Sequence, residues 1–178
     1  MTETLSIQQL LDDHKAGEKH YERLGALFEE IKDEPRWSSS QMRAFEDFAA
    51  FFRVDLMVHM RKEDEVLYPA LEEFLPRDIG PLMVLRTEHD DIVNNFNRMQ
   101  NSYHVMLQGN TRTEVVQKFL FFGRALLQLL RDHAYKEERV LFPMVARFLR
   151  PELDVRIDAD MRTLELVARE NMTVNRAT

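Results

Sequence analysis

The sequence predicts an all-α protein. Residues 1–150 read as an up-down-up-down four-helix bundle, and residues 151–178 as an additional C-terminal helix and tail. Three observations predict this. Breakers are sparse, with five Gly and six Pro in 178 residues. The segments between them carry apolar residues at alternating 3- and 4-residue spacing, the signature of amphipathic helices. The chain also repeats itself: 59–69 read HMRKEDEVLYP and 133–143 read HAYKEERVLFP, identical at six of eleven positions.

The breakers divide the elements. They lie at 33–40, 76–81, 108–111 and Arg150-Pro151. The first helix shows a stripe of Ile7, Leu10, Leu11, His14, Tyr21, Leu24 and Phe28. The second shows Phe45, Phe48, Phe52, Leu56, His59, Glu63, Val66 and Ala70. The third shows Leu82, Leu85, His89, Ile92, Val93, Phe96 and Met99. The fourth shows Phe119, Phe122, Leu126, Leu130, His133, Glu137, Val140 and Met144. Short connections between long helices imply antiparallel neighbours. The fifth carries Ile157, Met161, Leu164, Ala168 and Asn171 at heptad-like spacing. Packing back on the bundle is its simpler role, and a homodimer contact is the alternative. Pro69 and Pro143 should bend or end their helices nearby. Each falls six residues after a Glu, so the helix is expected to stay regular at the Glu and deform beyond it.

Composition excludes several classes of function. With no cysteine there is no disulfide, iron–sulfur cluster or thiolate zinc site. A net charge of −7, with Lys and Arg scattered among acids, argues against nucleic acid as a partner. No window approaches twenty uncharged apolar residues, so no membrane span is expected. The N-terminus, MTETLSIQQLLDDHK, lacks the basic and apolar regions of a secretory signal. A cytoplasmic protein is the expectation.

The chemistry sits on the stripes. Each of the first four helices places a His on its apolar face, and the second and fourth add a Glu one turn later. His and Glu at i and i+4 share a helix face. Glu on an apolar stripe is costly to bury, and bound cations remove much of that cost. In a chain with eighteen Glu, a lone His-x3-Glu pair means little. The duplicated context is more telling, since His14 and His89 correspond at an offset of 75 and the His-x3-Glu pairs at 74. The candidate ligands are His14, His59, Glu63, His89, His133 and Glu137. Imidazole and carboxylate without sulfur suit iron, manganese or zinc. Six ligands suit two ions with both Glu bridging. His20 and His104 should face elsewhere, as surface residues. Glu18 shares the His14 stripe as a surface acid or an extra carboxylate at the site. Glu88 should point away from the ions and is placed to hydrogen-bond a neighbouring His. Tyr21, Tyr68 and Tyr135 are candidates to approach the site.

These duplicated His…His-x3-Glu elements resemble the hemerythrin-like (HHE cation-binding) family, over about residues 5–150. The ferritin-like pattern, Glu-x-x-His, has the opposite order and a shorter spacing. The resemblance implies a non-haem di-iron centre, oxo- or hydroxo-bridged, with His14, His59, His89 and His133 as terminal ligands and Glu63 and Glu137 as bridges. Manganese or zinc would substitute. It implies binding of, or reaction with, a small diatomic ligand, O2 or NO. A di-iron oxidoreductase of oxidative or nitrosative stress, or an iron storage or donation protein, are the alternatives. The oxygen carrier of the family has a fifth His one turn from the third-helix His. Here those positions are Leu85 and Val93. The four-His set is similar to that of iron-centre repair proteins, whose N-terminal module with paired cysteines has no counterpart here.

Overall fold

The computed structural model describes residues 4–31, 37–77, 79–109 and 111–174. Of the expected breakers, residues 33–36, 78 and 110 lie outside the described residues, as does the tail from 175. Among the described residues the chain is all-helical, with five long helices and no strand. They are α1 (Leu5–Ile31), α2 (residues 39–71), α3 (Pro81–Leu107), α4 (residues 113–148) and α5 (Pro151–Val174).

Local sequence explains several boundaries. Ser38 starts α2 with a reciprocal cap: its hydroxyl accepts from the Gln41 N–H, and the Gln41 side chain accepts from the Ser38 N–H. Gly80 (φ 83°) turns the chain before Pro81, which opens α3 where its missing N–H costs nothing.

Two apolar clusters fill the interior, and the four site His fall between them. Along α1 the first cluster (Ile7, Leu10) precedes His14 and the second (Leu24, Leu27, Phe28) follows it. Along α2 the order reverses: Phe45, Phe48 and Phe52 come before His59, with Leu67 and Leu71 after Glu63. Helix α3 repeats the order of α1, and α4 that of α2.

The expectation that α2 and α4 stay regular at the Glu does not hold. Each widens into a π-helical turn starting at that Glu, Glu63–Leu67 and Glu137–Leu141. The Tyr68 N–H reaches back to the Glu63 carbonyl, and the Phe142 N–H to that of Glu137. The cause lies in the next residue. Pro69 and Pro143 lack an N–H and crowd the preceding turn, and a wider turn relieves that crowding. The extra residue rotates the buried stripe. Leu67, Leu71, Leu141 and Val145 are buried where regular spacing placed Val66, Ala70, Val140 and Met144, and Val140 is exposed.

Helix α5 lies against α1 and α2 and buries Ile157, Met161 and Ala168. That stripe is therefore occupied within the chain. Its first turn also caps α1. The buried Asp154 carboxylate accepts from the Leu5 N–H (2.8 Å), the Ser6 N–H (3.0 Å) and the Ser6 hydroxyl (2.6 Å). A negative charge on the otherwise unpaired N–H groups of a helix start is favourable. Asp154→Ala should lower stability by about 1–2 kcal/mol, read as a shifted denaturant midpoint. An unchanged midpoint would mean that this cap contributes nothing to stability.

Candidate metal centre

The structure brings all six expected side chains together. His14 Nε2 lies 3.1 Å from His59 Nε2 and 3.2 Å from Glu137 Oε2. His59 Nε2 is 3.4 Å from Glu63 Oε1. On the other side, His89 Nε2 lies 3.1 Å from His133 Nε2 and 3.2 Å from Glu63 Oε2. His133 Nε2 is 3.5 Å from Glu137 Oε2. Both Glu have no solvent exposure, His59, His89 and His133 are almost as buried, and the His14 side chain is 10% exposed.

The second ring nitrogens explain why the Nε2 atoms point inward. Each Nδ1 contacts a carboxylate on a neighbouring helix: His14 with Glu138 (2.9 Å), His59 with Asp13 (3.2 Å), His89 with Asp64 (2.8 Å) and His133 with Glu88 (3.0 Å). Donation from Nδ1–H leaves the Nε2 lone pair free for a cation. Glu63 Oε1, Glu63 Oε2 and Glu137 Oε2 are buried with no hydrogen-bond partner. Buried anionic oxygens without partners are costly, and a cation among them is the direct remedy. A 3.1 Å separation is what two imidazole nitrogens about 2.1 Å from one ion would show at roughly a right angle. Two sets of donor atoms are close enough to hold an ion: His14, His59, Glu63 and Glu137, and Glu63, His89 and His133. The residues present fit bound metal.

The hemerythrin HHE cation binding domain matches residues 5–145. The chain belongs to this family. No significant match came from the curated proteins or from the solved structures. The hemerythrin match stops before α5, so the C-terminal helix lies outside the matched region.

Among the other candidates, Glu88 does hydrogen-bond His133 as expected. Tyr68 reaches the centre: its hydroxyl donates to Glu137 Oε1 at 2.7 Å. Tyr135 and Glu18 are exposed, and so is His104. His20 is half-buried rather than a plain surface residue. It stacks on Phe51 at 4.1 Å, away from the six. Sequence reasoning missed Asp64 and Glu138 as Nδ1 partners, and Asp13 as the partner of His59. It also missed Lys62, which is buried between Asp13 (2.8 Å) and Glu165 of α5 (2.9 Å). A signal was available. Asp13 and Glu88 each precede the first His of a copy, and Asp64 and Glu138 each follow the Glu.

Without metal, the cluster holds protons instead. Burial opposes charge on His14, but Glu137, Glu63 and Glu138 outweigh it and raise the pKa to about 9. His89 is likewise raised to about 9 against burial, by Asp64 and Glu63. His133 is raised to about 10, against burial, chiefly by Glu137, Glu63 and Glu88. Glu63 is held well below the usual carboxylate range; burial pushes its pKa up, and the surrounding imidazoles prevail. The folded pKa values of these His exceed the ordinary 6.5, so their contribution to stability is complete below that value. It is lost as pH rises through about 9 to 10. Metal-free protein should therefore lose thermal stability from neutral pH to pH 10, whereas metal-loaded protein should not follow that profile. Parallel profiles for the two forms would contradict this charge assignment.

A second prediction separates the six from the remaining His. His59→Ala or Glu137→Ala should lose most of the bound metal, and His104→Ala should retain it, by elemental analysis of purified protein. Equal loss from His104→Ala would contradict the assignment.

Proposed function

We propose that this protein is a hemerythrin-like non-haem di-iron protein that binds or reacts with a small diatomic ligand, O2 or NO. One observation carries the reading: four imidazole Nε2 atoms and three unpartnered carboxylate oxygens converge in a buried cluster. His14 and His59 would hold one ion and His89 and His133 the other, with Glu63 between them. The alternating order of the apolar clusters along α1–α4 supports an up-down-up-down arrangement of these helices.

When bound, iron supplies redox chemistry and an open position for a diatomic ligand. The chain's own residues do the rest. Asp13, Asp64, Glu88 and Glu138 orient the imidazoles through Nδ1. Leu67, Leu71, Leu141 and Val145 on one side, and Leu56, Met60, Phe96 and Leu130 on the other, keep bulk water from the cluster. A cavity of about 240 Å³ touches His14 and His59 and is bordered by Tyr21, Leu56, Lys62 and Glu165. It offers small molecules a route to the centre. No fifth His joins the set among the described residues: Leu85 is buried beside His89, and Val93 packs against the core. That favours a more open centre than an oxygen carrier has.

A di-iron oxidoreductase is the second reading, favoured by the buried Tyr68 hydroxyl against Glu137. Iron-loaded protein exposed anaerobically to NO, and separately to O2, distinguishes the readings. New absorption bands that saturate with ligand are expected. Reversible O2 bands favour binding, and rapid irreversible oxidation favours turnover or sensing. Iron-loaded protein whose spectrum responds to neither gas would overturn the diatomic-ligand reading.

A further inference from the structure

The two halves of the chain repeat one design, and at one place the repeat is broken chemically. Offset by 74 residues, Tyr68 corresponds to Phe142. Both rings are buried, and both stack on a site imidazole. Tyr68 lies 5.9 Å from the His89 ring at 13°, and Phe142 lies 6.0 Å from the His14 ring at 22°. The two positions thus share ring and placement but differ by one oxygen. That oxygen is bound to Glu137.

The consequence shows in the carboxylates. Glu63 has both oxygens without a hydrogen-bond partner, and they point to opposite halves: Oε1 to His59 (3.4 Å), Oε2 to His89 (3.2 Å). Glu137 has only Oε2 without one, because Oε1 accepts from Tyr68. Oε2 must then face both halves, and it lies nearer His14 (3.2 Å) than His133 (3.5 Å). The Tyr68 ring has little freedom to release its hold. It is fully buried, with His89 on it and the Arg86 guanidinium 5.3 Å from its centre.

We propose that Tyr68 makes the two metal positions unequal, by withdrawing one oxygen of Glu137 so that Glu63 alone bridges through both oxygens. This rests on the two-metal reading above and departs from the two-carboxylate bridge that the sequence suggested. The His14/His59 position then has two imidazoles, Glu63 Oε1 and Glu137 Oε2. The His89/His133 position has two imidazoles and Glu63 Oε2. The His89/His133 position is thus the poorer in protein ligands, and Tyr68 stands beside it. Tyr68 is here a positioning residue, acting through Glu137.

The test is a titration of metal-free full-length protein with Co²⁺, followed by calorimetry and visible absorption. Wild type should fill in two resolved steps, the second weaker by roughly 10- to 100-fold, the usual scale for a partner behind a ligand. Tyr68→Phe copies the residue already present in the other half, and its two steps should converge. The double variant Tyr68→Phe, Phe142→Tyr moves the constraint to Glu63, and the steps should separate again. A role confined to packing would not follow the hydroxyl from one half to the other. Two ions taken up in one step by wild type, unchanged in Tyr68→Phe, would overturn the proposal and leave the two-metal reading standing. Failure of folded wild-type protein to bind Co²⁺ at all would overturn both.

Discussion

Glu63 and Glu137 have no solvent exposure, yet each sits midway along a helix face that is otherwise apolar. A carboxylate in that position is expensive to bury unless positive charge surrounds it. The rest of the structure follows from this constraint. Imidazoles from four helices surround the pair. Behind them stands a ring of acids, one on each Nδ1. Behind several of those acids stands a cation: Lys62 on Asp13, Lys136 on Glu88, and Arg86 on Asp64. Charge alternates outward from the centre to the surface. In the metal-free protein the innermost layer is balanced by protons on the imidazoles, and it is the layer that a cation would fill.

Backbone geometry serves the same centre. Among the described residues, two of the three π-helical turns begin at the two Glu, with prolines six residues on; the third, Phe52–Leu56, has no such proline. Widening the helix there turns Leu67, Tyr68 and Leu71 inward on α2, and Leu141, Phe142 and Val145 on α4. One apolar cluster thus closes over the site, and the same rotation brings the Tyr68 hydroxyl to Glu137. Helix α5 adds a contact beyond the segment matched to the family, since Glu165 reaches Lys62 and so the Asp13–His59 pair.

Much of the site was legible in the sequence, because the repeat singled out His59, Glu63, His133 and Glu137 and the stripes supplied His14 and His89. The helical class was equally legible from spacing and scarce breakers. What escaped depended on rotation about helix axes. Regular periodicity placed Val66 and Val140 inward, and with an extra residue per π-turn Val140 is exposed and Val66 only half-buried. Asp64 and Glu138 looked like ordinary flanking acids, since their role exists only once a neighbouring helix presents an imidazole. Asp154 caps α1 across a separation of 148 residues, which no local pattern reveals. The Tyr68/Phe142 difference looked conservative because the rings match. Its meaning lies in one oxygen and the carboxylate it meets.

The proposed function needs an interior that holds two ions. A crystal structure of iron-loaded protein, with anomalous scattering recorded at the iron edge, tests it most directly. Two peaks are expected, one between His14 and His59 and the other between His89 and His133, with Glu63 linking them. A single peak, or iron located away from these side chains, would contradict it.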